Sequence, residues 1–123
     1  MMGKAVISLN TPVCKGTNSI TVISGDEAHR KKVQPCIRCA KCVSVCPMGL
    51  EPYLIATLSA FKEYERAENE DIVSCIACGS CQYTCPSGRP ILDNILQGKA
   101  VVMGMIRERT AKAKAEAEAE AKK

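Results

Sequence analysis

Apolar residues recur at helical spacing in two parts of the chain, and a proline stands at the start of each part. In the first part, from Pro52 to about Glu68, the stripe consists of Leu54, Ile55, Leu58, Phe61 and Tyr64. Charged residues occupy most remaining positions, which indicates an amphipathic helix with this stripe in the core. Pro52 suits the first helical position, because the N–H groups of the first turn are unbonded and proline has none.

The second part begins at Pro90 and continues to about Arg109. Its first two turns place apolar side chains on one face, namely Ile91, Leu92, Ile95 and Leu96. Gly98 is expected to end or bend this helix, and helicity is expected to resume over residues 100–109. Residues 110–123 have high helix propensity but no apolar stripe, so we predict a solvated Ala/Lys/Glu-rich tail.

Two short runs near the N-terminus, Ala5–Leu9 and Ile20–Ile23, predict β-strands with turn residues between them. Two strands are too few for a stable sheet. Residues 1–28 are therefore expected to be a β segment at the trailing edge of a missing upstream domain. A small hairpin lying on the rest of the chain is the alternative.

Nine cysteines change this picture, because eight of them form two identical spacings. Residues 36–47 and 75–86 both read C-x2-C-x2-C-x3-C-P, the spacing by which bacterial ferredoxins bind 4Fe–4S clusters. The chain has one Phe, three Tyr and no Trp, so its apolar core must be modest. Two clusters would then stabilise a domain that is too small to rely on its core alone.

Each quartet supplies three cysteines from one loop, whereas the fourth is followed by a proline that turns the chain away. In two-cluster ferredoxins this fourth cysteine ligates the other cluster, so we predict crossed ligation. Cluster I is assigned to Cys36, Cys39, Cys42 and Cys85, and cluster II to Cys75, Cys78, Cys81 and Cys46.

Two other uses of these cysteines stay open at this point. Structural zinc sites usually combine separated C-x2-C pairs or add histidines, and the chain has a single His. A disulfide framework would need an oxidising compartment. Cys14, the ninth cysteine, has no C-x2-C partner and is interpreted as a free structural thiol.

The formal net charge of +4 gives little support to nucleic-acid binding. Eight ligating thiolates would add about −8 and two oxidised cluster cores about +4, which leaves the domain near neutral. No apolar run approaches the roughly 18 residues of a membrane span, since the longest candidate, Ala100–Ile106, is short and interrupted by Gly104. No residue stands out as a nucleophile or general base, so the chain alone is predicted to carry electrons rather than to catalyse a reaction.

A repeated order of loop and helix predicts the fold class. After the fourth cysteine, C-P-M-G-L-E-P-Y-L in the first half matches C-P-S-G-R-P-I-L in the second half with one residue deleted. The repeat implies a pseudo-two-fold arrangement. Helices rather than β-hairpins follow the loops, so we predict a mainly α chain in which residues 29–109 form an α-helical ferredoxin domain.

Residues 35–54 and 74–87 closely resemble the C subunit of the Rnf complex, and the similarity extends over roughly residues 1–109. The most specific runs are M-G-L-E-P-Y-L at 48–54 and T-P-V-C-K-G-T at 11–17. The resemblance implies a peripheral subunit on the cytoplasmic face of the bacterial inner membrane, in an ion-translocating ferredoxin:NAD+ oxidoreductase. It implies FMN and NADH sites in an upstream domain that has no counterpart here. The partners would be the other subunits of that membrane-bound redox complex, including a ferredoxin-type subunit.

The expected function is therefore electron transfer. Single electrons would pass through both clusters between a flavin- and NADH-binding domain and ferredoxin-type partners. A free-standing soluble two-cluster ferredoxin, or the iron–sulfur subunit of another oxidoreductase, is the alternative. A zinc-stabilised interaction or nucleic-acid module is a further alternative, and metal and sulfide analysis separates these possibilities.

Overall fold

Helices account for all the regular secondary structure that the computed structural model describes, which covers residues 6, 8–25 and 32–121. The five α-helices are α1 Lys41–Ser44, α2 Pro52–Ala60, α3 Tyr64–Asn69, α4 Ser80–Tyr83 and α5 Ile91–Ala121, and a 3₁₀ helix spans Ile72–Ser74. No β-strand occurs in the described part of the chain. The predicted mainly α fold class is therefore confirmed.

The core lies where α2 and α5 pack together, with α3 and the 3₁₀ helix closing its far side. Its largest fully buried side chains are Ile55, Ile72, Ile95 and Val102. Burial of an aliphatic side chain of this size contributes about 1.5–3 kcal/mol to stability. The core is small, as the scarcity of aromatic residues predicted.

The single helix predicted from Pro52 to Glu68 is wrong, because the chain breaks it after Ala60. Lys62 adopts a left-handed conformation with φ 62°. Its N–H donates to the Ser59 carbonyl at 3.1 Å, and the Glu63 N–H donates to the Leu58 carbonyl at 2.9 Å. This pair of bonds is the Schellman helix ending, which usually has glycine where Lys62 stands.

The break also changes the predicted apolar stripe. Ile55 and Leu58 are buried as predicted, but Phe61 at the C-cap of α2 is 74% exposed. The chain has turned out of the helix by this residue, so helical spacing no longer applies to its side chain.

Gly98 neither ends nor bends the second helix, contrary to the prediction, and α5 runs without interruption from Ile91. An added Cβ at Gly98 would lie 2.7 Å from the Cβ of Ser59, closer still to its Oγ, and 3.0 Å from Cδ1 of Ile72. The glycine therefore marks a point where α5 approaches α2 closely. Beyond the core, Arg109 of α5 pairs with Glu68 of α3 at 2.5 Å.

The predicted strand at Ile20–Ile23 is absent, because these residues have no regular secondary structure and no strand in the described chain pairs with them. Their side chains are exposed, including Val22 at 87%. In the other predicted strand, Ala5–Leu9, residues 5 and 7 lie outside the described residues, and the three described ones, Val6, Ser8 and Leu9, are not in a strand. That residues 1–28 belong to an upstream domain stays a prediction.

The described helices include none that is long and apolar enough to cross a membrane.

Candidate metal centres

One cavity of about 520 Å³ gathers cysteines from both halves of the chain. Its lining contains Cys36, Cys39 and Cys42 from the first quartet together with Cys85 from the second. The other lining residues come from the first cysteine loop, from α2 and from residues 86–94, which lead into α5. The loop residues 36–41 are exposed, so this cavity opens to solvent.

A second cavity contains the complementary set of thiols, because Cys46 of the first quartet joins Cys75, Cys78 and Cys81. It is much smaller, about 20 Å³, and core side chains of α2 and α5 form its inner wall. Cys81 is 7% exposed and belongs to the hydrophobic core.

The two cysteine loops have the same backbone conformation although their sequences differ. Arg38 and Ala77, at matching positions, have φ 53° and 58°, and Ala40 and Gly79 have φ 57° and 82°. A left-handed conformation is unfavourable by about 1–2 kcal/mol for residues other than glycine. Such strain tends to persist at functional sites, and alternating right- and left-handed residues point backbone N–H groups toward an anion. A cubane held by four thiolates is an anion of this kind.

The exit from each loop is also built twice in the same way. The third cysteine of each quartet lies in a short helix, Cys42 in α1 and Cys81 in α4. After the fourth cysteine the chain turns at a glycine, with φ 67° at Gly49 and 60° at Gly88. The N–H of each glycine donates to the carbonyl of the fourth cysteine, Cys46 or Cys85, at 3.2 Å. The recurring C-P-x-G sequence is the signal from which this turn could have been predicted.

Burial sets the acidity of the thiols in these cavities. It raises the pKa of Cys81 to about 11 and also raises the pKa of Cys42, where backbone N–H groups partly oppose it. By contrast, a hydrogen bond from the Ser80 side chain lowers the pKa of Cys78. A buried thiolate is therefore unfavourable unless a bound metal compensates its charge.

Sequence reasoning missed Lys99, whose side chain reaches from α5 to the second cysteine loop. Its Nζ donates to the carbonyl oxygens of Val73 and Cys75, each at 2.7 Å. No local motif links residues more than twenty positions apart, so only the fold reveals this contact.

No three His, Cys, Asp or Glu side chains in the described part of the chain lie close enough together to hold a single metal ion. The donor sets of the two cavities are nevertheless four thiols each, which is the ligand set that 4Fe–4S clusters use.

Comparison with known proteins agrees with this chemistry. A protein family described as a 4Fe-4S dicluster domain matches residues 28–86. The chain is 41% identical over 115 residues, or 91% of its length, to the C subunit of the ion-translocating oxidoreductase complex of Serratia proteamaculans. It is 38% identical over 108 residues, or 88% of its length, to the C subunit of the Na(+)-translocating ferredoxin:NAD(+) oxidoreductase complex of Acetobacterium woodii. These matches span 16% and 24% of the relatives' own length.

Proposed function

Since this chain contains a 4Fe-4S dicluster domain and is a homologue of part of the C subunit of Rnf-type ion-translocating oxidoreductase complexes, we propose that it is an electron-transfer module of such a complex. Single electrons pass through two clusters between a flavin- and NADH-binding domain outside this chain and ferredoxin-type partners. When bound, each 4Fe–4S cluster supplies a one-electron redox couple.

One observation carries the proposal, namely the composition of the two cavities. Each combines three thiols of one quartet with the fourth thiol of the other quartet. We assign cluster I to Cys36, Cys39, Cys42 and Cys85, and cluster II to Cys75, Cys78, Cys81 and Cys46. This grouping is the one that crossed ligation requires.

The chain also brings the two centres close together. Neighbouring residues of α2 face different cavities, with Ala56 at the first and Ile55 at the second. At the start of α5, Ile91 lines the first cavity and Leu92 the second. Buried side chains therefore hold the two sites at a short, fixed separation, as single-electron transfer requires.

The two sites differ in their access to solvent, and this suggests an order along the path. Cys36 and Cys39 are exposed, whereas Cys81 is buried in the core. Cluster I is therefore the one that an approaching redox protein reaches first. In the complex, the module is peripheral on the cytoplasmic face of the membrane, and the other subunits are its partners rather than nucleic acid.

Metal and sulfide analysis of anaerobically purified protein tests the proposal. Two clusters require about eight iron and about eight sulfide ions per chain, and a brown protein with two EPR signals after reduction. Cys14→Ser is the matched control, because Cys14 is exposed and lines neither cavity. Zinc without sulfide, or one cluster in the fully loaded protein, would refute the assignment.

A further inference from the structure

We propose that Lys99 is a positioning residue for cluster II, which fixes the entry of the Cys75 loop and raises the reduction potential of that cluster. The inference rests on the proposed function, which supplies the cluster. It concerns a residue outside both cysteine motifs.

The Lys99 side chain binds the backbone at the start of the second cysteine loop. Its ammonium group donates two hydrogen bonds of 2.7 Å, one to the backbone carbonyl of Val73 in the 3₁₀ helix and one to the backbone carbonyl of Cys75. Lys99 directly follows Gly98, so the close approach of α5 to Ser59 and Ile72 sets the position of the lysine stem. The loop therefore starts from a point that is fixed to the core.

A positive charge at this place favours the reduced cluster. Reduction transfers one electron to the cluster, makes it more negative by one charge, and forms or breaks no bond. Lys99 is partly buried, so solvent and salt screen its field less than that of an exposed lysine. Hydrogen bonding and charge near the sulfurs are among the features that set the potential of such clusters.

The first loop is held in another way, which makes the effect specific to one cluster. The backbone N–H of Gln34, two residues before Cys36, donates to the Ser87 carbonyl at 2.9 Å, and this bond adds no charge. Arg38 and Lys41, the cations of the first loop, are exposed. Removing the Lys99 charge should therefore shift cluster II and leave cluster I nearly unchanged.

The test is an anaerobic dithionite titration of the complete chain, followed by EPR, for the wild type and for Lys99→Met, Lys99→Gln and Lys99→Arg. Cys78→Ser identifies the cluster II signal, because it changes one ligand of that cluster. Lys99→Met keeps the apolar stem but removes the charge and both hydrogen bonds. Lys112→Met is the matched control, since Lys112 is an exposed residue of the same helix about 20 Å further along it.

We expect a more negative midpoint for cluster II in Lys99→Met and Lys99→Gln, an unchanged midpoint for cluster I, and near wild-type values in Lys99→Arg. Lys112→Met should change neither midpoint. If the Lys99 variants lost iron to a chelator faster but kept the same reduction potential, Lys99 would have only a structural role, and the inference would be overturned. An equal shift of both clusters would also overturn it.

The two proposals fail in different ways. A wild-type chain without iron and sulfide would overturn both of them. A chain with two clusters whose potentials are the same with and without the Lys99 charge would overturn this inference alone. If Lys99→Met does not assemble, Lys99→Gln, which keeps a hydrogen-bond donor, decides between these outcomes.

Discussion

The close contact between α2 and α5 at Gly98 can be tested with two glycines of the same helix. In Gly98→Ala the new methyl group would meet the Cβ of Ser59 at 2.7 Å. This neighbour is fixed to the α2 backbone, so the two helices must separate to admit the methyl group. Gly104 is the matched control, because an added Cβ at that position would meet nothing within 4 Å.

Two opposing effects decide the magnitude. Replacing glycine by alanine inside a helix contributes about 1 kcal/mol of stability through helix propensity. Overpacking of a tight core destabilises by about 1–3 kcal/mol, and contact with a Cβ belongs at the upper end of that range. We therefore expect Gly98→Ala to lose about 1–2 kcal/mol net and Gly104→Ala to gain about 0.5–1 kcal/mol.

Release of a bound cluster would make unfolding irreversible, so the assay is the anaerobic unfolding rate in guanidinium, followed by helical circular dichroism. A loss of one or two kcal/mol in stability corresponds to an unfolding rate about 5–30 times higher, if the contact between the two helices is already broken in the transition state for unfolding. Gly98→Ala should unfold faster by up to this factor, whereas Gly104→Ala should unfold more slowly than the wild type.

Ser59→Gly provides a further check, because it removes the atoms that the new methyl group would strike. The cost of Gly98→Ala should be smaller in a Ser59→Gly background, as a double-mutant cycle can measure. Equal stabilisation by Gly98→Ala and Gly104→Ala would refute the close-packing argument.

Three further predictions concern the clusters and the surface. Iron chelation should collapse the helical circular dichroism because the core is small, and a cooperative thermal transition in cluster-free protein would contradict this. Cys46→Ala should damage cluster II and spare cluster I, as EPR and iron content will show; under local ligation, cluster I would be lost instead. Arg109→Ala should change stability by no more than about 1 kcal/mol, because the pair with Glu68 is partly exposed, and a larger effect in guanidinium unfolding would show that this pair is coupled to the core.

The features that the sequence predicted correctly follow from patterns that are local in the chain. Cysteine spacing predicted the two groups of thiols that line the cavities, and apolar residues at helical spacing after a proline predicted the helices that begin near Pro52 and Pro90. The ligation of iron by those thiols stays a prediction. The α2 and α5 side chains that line the second cavity could not be predicted from the cysteine spacing, because their positions depend on how these two helices pack.

Errors arose where backbone conformation departs from residue preference. Lys62 ends α2 in a conformation that usually indicates glycine, whereas Gly98, read as a helix terminator, serves helix packing instead. Arg38 and Ala77 are likewise left-handed without a glycine signal. The strand at Ile20–Ile23 was predicted from β propensity alone, and a strand needs a partner for its backbone hydrogen bonds.

Each cavity takes its thiols from both repeats, and this has a consequence for the evolution of the chain. A duplicated unit ordinarily keeps the ability to work alone, so that either copy can be lost or replaced. Here Cys46 and Cys85 line the cavity of the opposite repeat, so neither repeat alone supplies all four thiols of one cavity. The two halves therefore depend on each other to complete both sets of thiols. Recombination could replace both repeats together. A single repeat from another protein would have to place its fourth cysteine in the cavity of the repeat that it joins.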